Sequence, residues 1–359
     1  MIIYAPGQEP NLPVYSFYND TVRLKFDQSC WTYFRFMPDG TFEPQSGVTG
    51  VVKIIDKSQP LMSWAVKKAM EKLKRLLLTG NYVGENSPPL LEPILDEIIA
   101  QAKKADKEEL ETAGEIGHTA HDWIEQFIKS VLAGNEERRQ ELLAKMPTDE
   151  RAANACIAAI EWMVRHNVRW ISTERKCYSL LYGYAGTMDG LARVDSCTDP
   201  SCCPHQFKDR LTIVDWKTSN ALYIEYCMQT AAYQQSYQEE TGETIDDRWI
   251  IRLGKDDAKF DPWHIEGKAL FDEDFHGFLN ALALYKSVHS IEDRMGAVRT
   301  AKTAERKRVA REIKDAENAI RCPDADEYKG IRKKKGCAGL EKMCVACSKI
   351  YLDKHPELV

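Results

Sequence analysis

The stretch LTIVDWKTS, residues 211–219, constrains the fold of this 359-residue chain more than any other. Leu211, Ile213 and Val214 are the residues a sheet interior favours, so the run reads as a buried β-strand. Asp215 and Lys217 stand two apart at its end, and side chains at i and i+2 of a strand point the same way. A helix follows directly, from about Tyr223 to Gln238. An apolar strand feeding a helix predicts an α/β core, a mixed central β-sheet flanked by helices.

The rest of the chain supplies elements for that core. Residues 14–50 alternate as short strands with a hairpin signal at Asp39-Gly40, giving a β-rich N-terminal segment over 1–50. A helix opens at Pro60 and stops at Gly80. In GEIGHTAHDWIEQFIKSVLAG (114–134), Ile116, Ala120, Trp123, Ile124, Phe127, Ile128 and Val131 recur at helical spacing. His118, His121, Asp122 and Glu125 take the other side. Another helix covers about 150–167. Two strands then flank a turn at Tyr182 to Gly186. RWIIRLGKDDAKFDPWHIEG reads as a hairpin and 268–290 as a helix. Near 299 the composition changes to a charged helix and a basic, cysteine-bearing tail. We therefore expect a core over 51–298 and an extension over 299–359.

The chemistry collects around Asp215. Alone, Asp215 and Lys217 are no more than a strand-end ion pair. Upstream, however, Asp189 lies between Gly186 and Gly190 in a strand, where glycine often marks a close approach by a ligand or backbone. Downstream, Gln229 and Tyr233 are spaced i, i+4 and share a helix face with Tyr226 and Tyr237. Two carboxylates on neighbouring strands are hard oxygen ligands for Mg²⁺ or Mn²⁺. A metal so held acidifies water and neutralises charge on a phosphoryl group. Lys217 can hold the attacking water or stabilise the developing oxyanion. This is an inventory for phosphodiester hydrolysis.

GTMDG, IVDWKTS and QTAAY, in that order and preceded by His118 on a helix, resemble the PD-(D/E)XK nuclease superfamily. More narrowly they are similar to its RecB-type branch, which includes exonuclease V, CRISPR adaptation nucleases and phage exonucleases. The likeness covers roughly residues 48–265, and SGVTGVVKIIDKSQPLMSWA resembles the first helical segment of phage members. It implies a restriction-endonuclease-like core and a metal-dependent DNA nuclease, an exonuclease, serving recombination, repair or phage replication. Residue by residue, it implies Asp189, Asp215, the Trp216 backbone carbonyl and His118 as metal ligands. Lys217 would serve the nucleophilic water, and Gln229 and Tyr233 would contact the nucleic-acid backbone or steady the site. Glu174 matches an acidic residue of the preceding strand. Linear or single-stranded DNA is the expected partner, with a helicase or recombinase feeding the site. The alternatives are a catalytically silent DNA-binding accessory protein of a recombination or replication complex and, ranked lower, a sequence-specific restriction-type endonuclease.

Eleven cysteines and a net charge of −6 bound the remainder. A chain of this length with an odd cysteine count is no small disulfide scaffold, and reduced or metal-bound thiols fit a cytoplasmic protein, bacterial or in a phage-infected host cell. No run reaches the length of a membrane span. An acidic chain is no nucleic-acid coat, so DNA contact must come from a local patch. Arg332, Lys333, Lys334 and Lys335 form one, able to meet phosphates. Cys322, Cys337, Cys344 and Cys347 are a four-thiolate set for Zn²⁺ or a [4Fe–4S] cluster, similar to the C-terminal cluster of several RecB-type nucleases, though here all four follow the core. Cys197, Cys202, Cys203 and His205 form a second cluster. Adjacent cysteines rarely share an ion, so a polar insertion loop is the favoured reading and a zinc knuckle the lesser one.

Overall fold

The computed structural model describes residues 12–55, 57–83 and 90–319. The chain divides into two compact units, Met1–Lys286 and Ser287–Val359, and every described strand belongs to the first. The basic patch at 332–335 and the cysteines at 322, 337, 344 and 347 lie outside the described residues. Among the described residues no helix is long and apolar enough to cross a membrane.

The architecture is α/β, with a mixed sheet of nine described strands flanked by helices. β1 (Val14–Phe17), β2 (Val22–Asp27), β3 (Thr32–Phe36) and β4 (Phe42–Gly47) form an antiparallel meander. It continues into the main sheet because Ser46 and Gly47 pair in parallel with the start of β6. Then come the short α1 (Val48–Val52), α2 (Ser58–Thr79), α3 (Glu92–Ala102), α4 (Ala105–Leu132), α5 (Glu136–Ala144) and α6 (Glu150–Arg165). β5 (Arg169–Ser179), β6 (Tyr184–Val194) and β7 (Arg210–Lys217) lead to α7 (Ile224–Thr241), the hairpin β8 (Asp247–Leu253) and β9 (Phe260–Glu266), and α8 (Lys268–Ala319).

Each helix face follows from its sequence. α4 sends Ala120, Trp123, Ile124, Phe127 and Ile128 into one cluster with Ala155, Trp162 and Met163 of α6 and Val214, Trp216, Trp249 and Ile251 of the sheet. The opposite face packs Leu211 and Ile213 against Val48, Ala231, Tyr233, Tyr237 and Phe278. β7 therefore has apolar partners on both sides, which is why it reads as a near-continuous apolar run. Local signals set the ends. Asp149 caps α6 by accepting the Ala152 N–H at 2.9 Å, and Gly242, at φ 73°, ends α7.

Three expectations change. The helix of 114–134 begins a further two turns upstream, at Ala105. The helix of 268–290 and the charged helix beyond 299 are one element, α8. The turn expected at Tyr182 to Gly186 lies earlier: β5 ends at Ser179, Gly183 takes φ 65°, and Gly186 is inside β6.

Gly186 and Gly190 are explained by packing rather than by a ligand or backbone. A Cβ at Gly186 would stand 2.5 Å from Tyr233 Cε1 and 3.1 Å from Val48 Cγ2, and one at Gly190 would stand 2.4 Å from Trp170 Cζ3. Rings on opposite faces of the sheet thus press on both sides of Asp189. Tyr233 is buried and bonded, so it cannot swing away, and Gly186→Ala is expected to destabilise the fold by about 2–3 kcal/mol. Urea unfolding of the purified variant reads this directly; an unchanged midpoint would mean the ring has room to move.

Candidate functional site

β6 and β7 pair antiparallel from Val194↔Arg210 to Gly190↔Val214, and there the ladder stops. The next rung would join Asp189 to Asp215. Instead Asp189 Oδ2 accepts the Trp216 N–H at 2.9 Å, so a carboxylate occupies the place of a ladder partner. On the other edge of β6, β5 pairs Thr173↔Gly190 and Arg175↔Met188, which leaves Glu174 abreast of Asp189 with φ at 50°. A positive φ is strained for a glutamate, and such residues concentrate where function over-determines the backbone. β6 also changes phase here. Met188 packs beneath α7, as Leu191 does three residues on, whereas Ala192 and Val194 face α4 and α6. Three acids, Glu174, Asp189 and Asp215, thus stand in a row across three strands where the sheet opens.

Asp215 is the most constrained of them. It is 0% exposed, and neither carboxylate oxygen receives a directed hydrogen bond. The compensating charge is Lys217, whose Nζ lies 2.5 Å from Oδ2. Burial, reinforced by the neighbouring Asp189 charge against the opposing pull of Lys217, pushes the Asp215 carboxyl up to about 6. Burial also raises Asp189, with Lys217 pulling the other way. Burial and then Asp189 push Glu174 up to about 7. Burial by itself would lower the Lys217 ammonium, but Asp215 and Asp189 outweigh it and hold it above its usual value. The ammonium also sits 4.7 Å from the centre of the Tyr226 ring. Burying a lone carboxylate costs several kcal/mol, and here the Lys217 ammonium offsets that cost.

The structure brings most of the expected residues together and places His118 elsewhere. Gln229 and Tyr233 are both buried in α7, and Gln229 Nε2 donates to the Tyr233 hydroxyl at 2.9 Å. They form a wall beside the acids, and burial, with Asp215 next, holds the Tyr233 phenol well above its ordinary range. Trp216 meets Asp189 through its N–H, a contact separate from the carbonyl expected to face a metal. His118 is not at the site: its side chain is 64% exposed, with Nε2 3.3 Å from Asp122. His121 is there instead, Nδ1 3.9 Å from Asp189 Oδ2. Burial, then the Lys217 charge, lowers it to about 4, so it is a neutral imidazole at pH 7 with a lone pair to give.

α4 can present His121 because Gly117, one turn earlier, passes close to the segment after β7. A Cβ there would lie 2.7 Å from Thr218 Oγ1. On the reading that these acids hold a divalent cation, His121→Ala is expected to lower its affinity about tenfold while His118→Ala leaves it unchanged. Calorimetric titration with Mn²⁺ checks this, and the reverse ranking would return the role to His118.

A second group assembles at the other end of the same two strands. His166 Nε2 is 3.4 Å from Cys202 Sγ and 3.6 Å from Cys203 Sγ, and Cys197 Sγ is 3.5 Å from Cys203 Sγ. His205, expected in this cluster, instead lies 3.1 Å from Glu266.

No family model and no curated protein matches the chain. Among solved structures it is similar to the Eubacterium rectale protein described as "Putative exonuclease", at 15% identity and a TM-score of 0.28, over 46% of this chain and 66% of that one. It is also similar to the protein SSO0001, at 10% identity and a TM-score of 0.24, over 47% of this chain and 74% of that one. The chain thus spans just under two thirds of the first of these. Both scores are too low to bear on what this chain does.

Proposed function

We propose that the chain is a Mg²⁺- or Mn²⁺-dependent deoxyribonuclease of the PD-(D/E)XK type, an exonuclease acting on linear or single-stranded DNA. The observation that carries this reading is the Asp215 carboxylate, wholly buried, without a directed hydrogen bond, and paired with Lys217 beside a second acid. The donor set fits a hard cation: carboxylate oxygens from Asp189 and Asp215, with Glu174 and neutral His121 at the margin. A bound divalent cation would neutralise a phosphodiester and acidify a water.

The chain's own groups do the rest. Asp189 and Asp215 would hold the cation. Lys217, freed from Asp215, holds the attacking water or the charge that builds on the phosphate. Tyr226 keeps the ammonium in line, and Gln229 and Tyr233 brace the wall. DNA as substrate and a helicase or recombinase as supplier rest on the four-motif resemblance in the sequence. End-labelled linear DNA incubated with the purified chain and Mn²⁺ is expected to shorten, and chelator is expected to stop it. Cleavage that survives chelator would remove the basis for this reading.

The pKa shifts give a second check with a definite sign. Asp215 and Glu174 have folded values raised to about 6 and about 7. The native state then holds more protons than the unfolded chain between roughly pH 4 and 7, so these groups make stability fall as pH rises through that window. A cation that takes the place of those protons reverses the loss. The rise in Tm on adding Mn²⁺ is expected to be near zero at about pH 4.5 and to grow through about pH 7, and a rise independent of pH would count against cation binding at these acids.

A further inference from the structure

We propose that His166, Cys197, Cys202 and Cys203 bind one Zn²⁺ in a closed tetrahedral site that ties the β6–β7 loop to the end of α6. This is independent of the nuclease reading. It concerns the opposite end of the two strands that carry Asp189 and Asp215.

The geometry points to a single ion. All four donor atoms lie within 4.8 Å of one another. A tetrahedral zinc with bonds near 2.3 Å to sulfur and about 2.0–2.1 Å to nitrogen sets sulfur–sulfur edges at about 3.8 Å and sulfur–nitrogen edges at about 3.6 Å. Three of the six edges, Cys197–Cys203 at 3.5 Å and His166 to Cys202 and Cys203 at 3.4 and 3.6 Å, match, and the others lie within 4.8 Å. A disulfide needs its sulfurs at about 2.05 Å, so the 3.5 Å pair is not one. A [4Fe–4S] cluster gives each thiolate its own iron, a [2Fe–2S] centre divides four ligands between two irons, and both spread the donors wider than a single ion does.

The surroundings prepare each donor. His166 Nδ1 is 2.8 Å from the Trp162 carbonyl. A carbonyl only accepts, so Nδ1 carries the proton and the Nε2 lone pair faces the sulfurs. The ring stacks on Trp162 at 4.9 Å, which fixes its plane. The Cys197 N–H donates to Cys203 Sγ at 3.2 Å. The Asp199 carbonyl accepts the N–H groups of both Cys202 and Cys203, at 3.1 and 2.8 Å, and so curls the loop into a turn. In such a turn successive side chains diverge by about 100° rather than the roughly 180° of a strand, so two adjacent cysteines can reach one centre. Cys197, Cys203 and His166 are all at most 5% exposed. Four protein donors and no open position define a structural site, not a catalytic one.

The test uses the full chain carrying Cys344→Ser and Cys347→Ser, so that the Cys-x-x-Cys of the tail cannot supply zinc. Elemental analysis is expected to find about one zinc per chain, and zinc-edge X-ray absorption three sulfurs and one nitrogen. Cys203→Ser added to that background is expected to lose the zinc. His166→Cys is expected to keep it and change the signature to four sulfurs. If Cys203→Ser does not fold, the absorption spectrum of the folded parent decides alone. Absence of zinc even after incubation with ZnCl₂, an oxygen-dominated shell, zinc retained by folded Cys203→Ser, or a Cys197–Cys203 disulfide in non-reduced peptides would each overturn the proposal.

Discussion

Asp215→Ala is expected to abolish Mn²⁺-dependent cleavage of linear DNA, lowering kcat by at least about 10³-fold, or about 4 kcal/mol of transition-state stabilisation. The size follows from the position. Asp215 is the acid most completely removed from water, its oxygens have no directed hydrogen bond to lose, and its close partner is the lysine beside it. On the proposed reading, truncation removes a cation ligand together with the Lys217 ion pair. Stability in chelator is expected to change by no more than a few degrees in Tm. Burial opposes ionisation of Asp215, and Lys217, 15% exposed, can turn its ammonium towards water. The rise in Tm on adding Mn²⁺ is expected to vanish with the activity. Steady-state cleavage rates together with melting curves measure both. A variant that cuts within about tenfold of the parent would show that the reaction happens elsewhere.

Lys217→Ala is expected to split two properties that usually fall together. Cleavage should drop about 10²- to 10³-fold, as for loss of one preorganised charge that acts on the transition state. Mn²⁺ affinity should rise, by about tenfold or 1.4 kcal/mol, because in the parent the ammonium sits on Asp215, where a cation would have to displace it. Calorimetry reads the second effect without any DNA. Weaker Mn²⁺ binding in Lys217→Ala would mean the lysine positions the carboxylate instead of competing for it.

The apolar run at 211–214 made β7 legible, and Asp189, Asp215, Lys217, Gln229 and Tyr233 came into view as a set because each occupies a recognisable place on a strand or helix. What joined them was not legible. The opening between β6 and β7 depends on a ladder that stops one rung early, and on the strained backbone of Glu174 across the way. Both are consequences of pairing between distant segments. His118 and His121 are about 60° apart around α4, so choosing between them required knowing how the helix docks. A signal was present: Gly117, His121 and Glu125 form an i, i+4, i+8 row bordering the apolar stripe, whereas His118 points further from it. The fourth member of the cysteine group was out of reach for a similar reason. His166 ends a helix 31 positions before Cys197, and only the packing of α6 on the sheet brings it to the loop.

The two rings that flank Asp189 carry a consequence for natural variation. Gly186 is small because Tyr233 lies against it, and Gly190 is small because Trp170 does. In any lineage descended from the same ancestor, these positions should drift as matched couples. A larger residue at 186 calls for a slimmer one at 233, and a larger one at 190 for a slimmer one at 170. Two mutually adjusting couples on either side of one acid would let evolution reshape the walls while the carboxylate stays where it is.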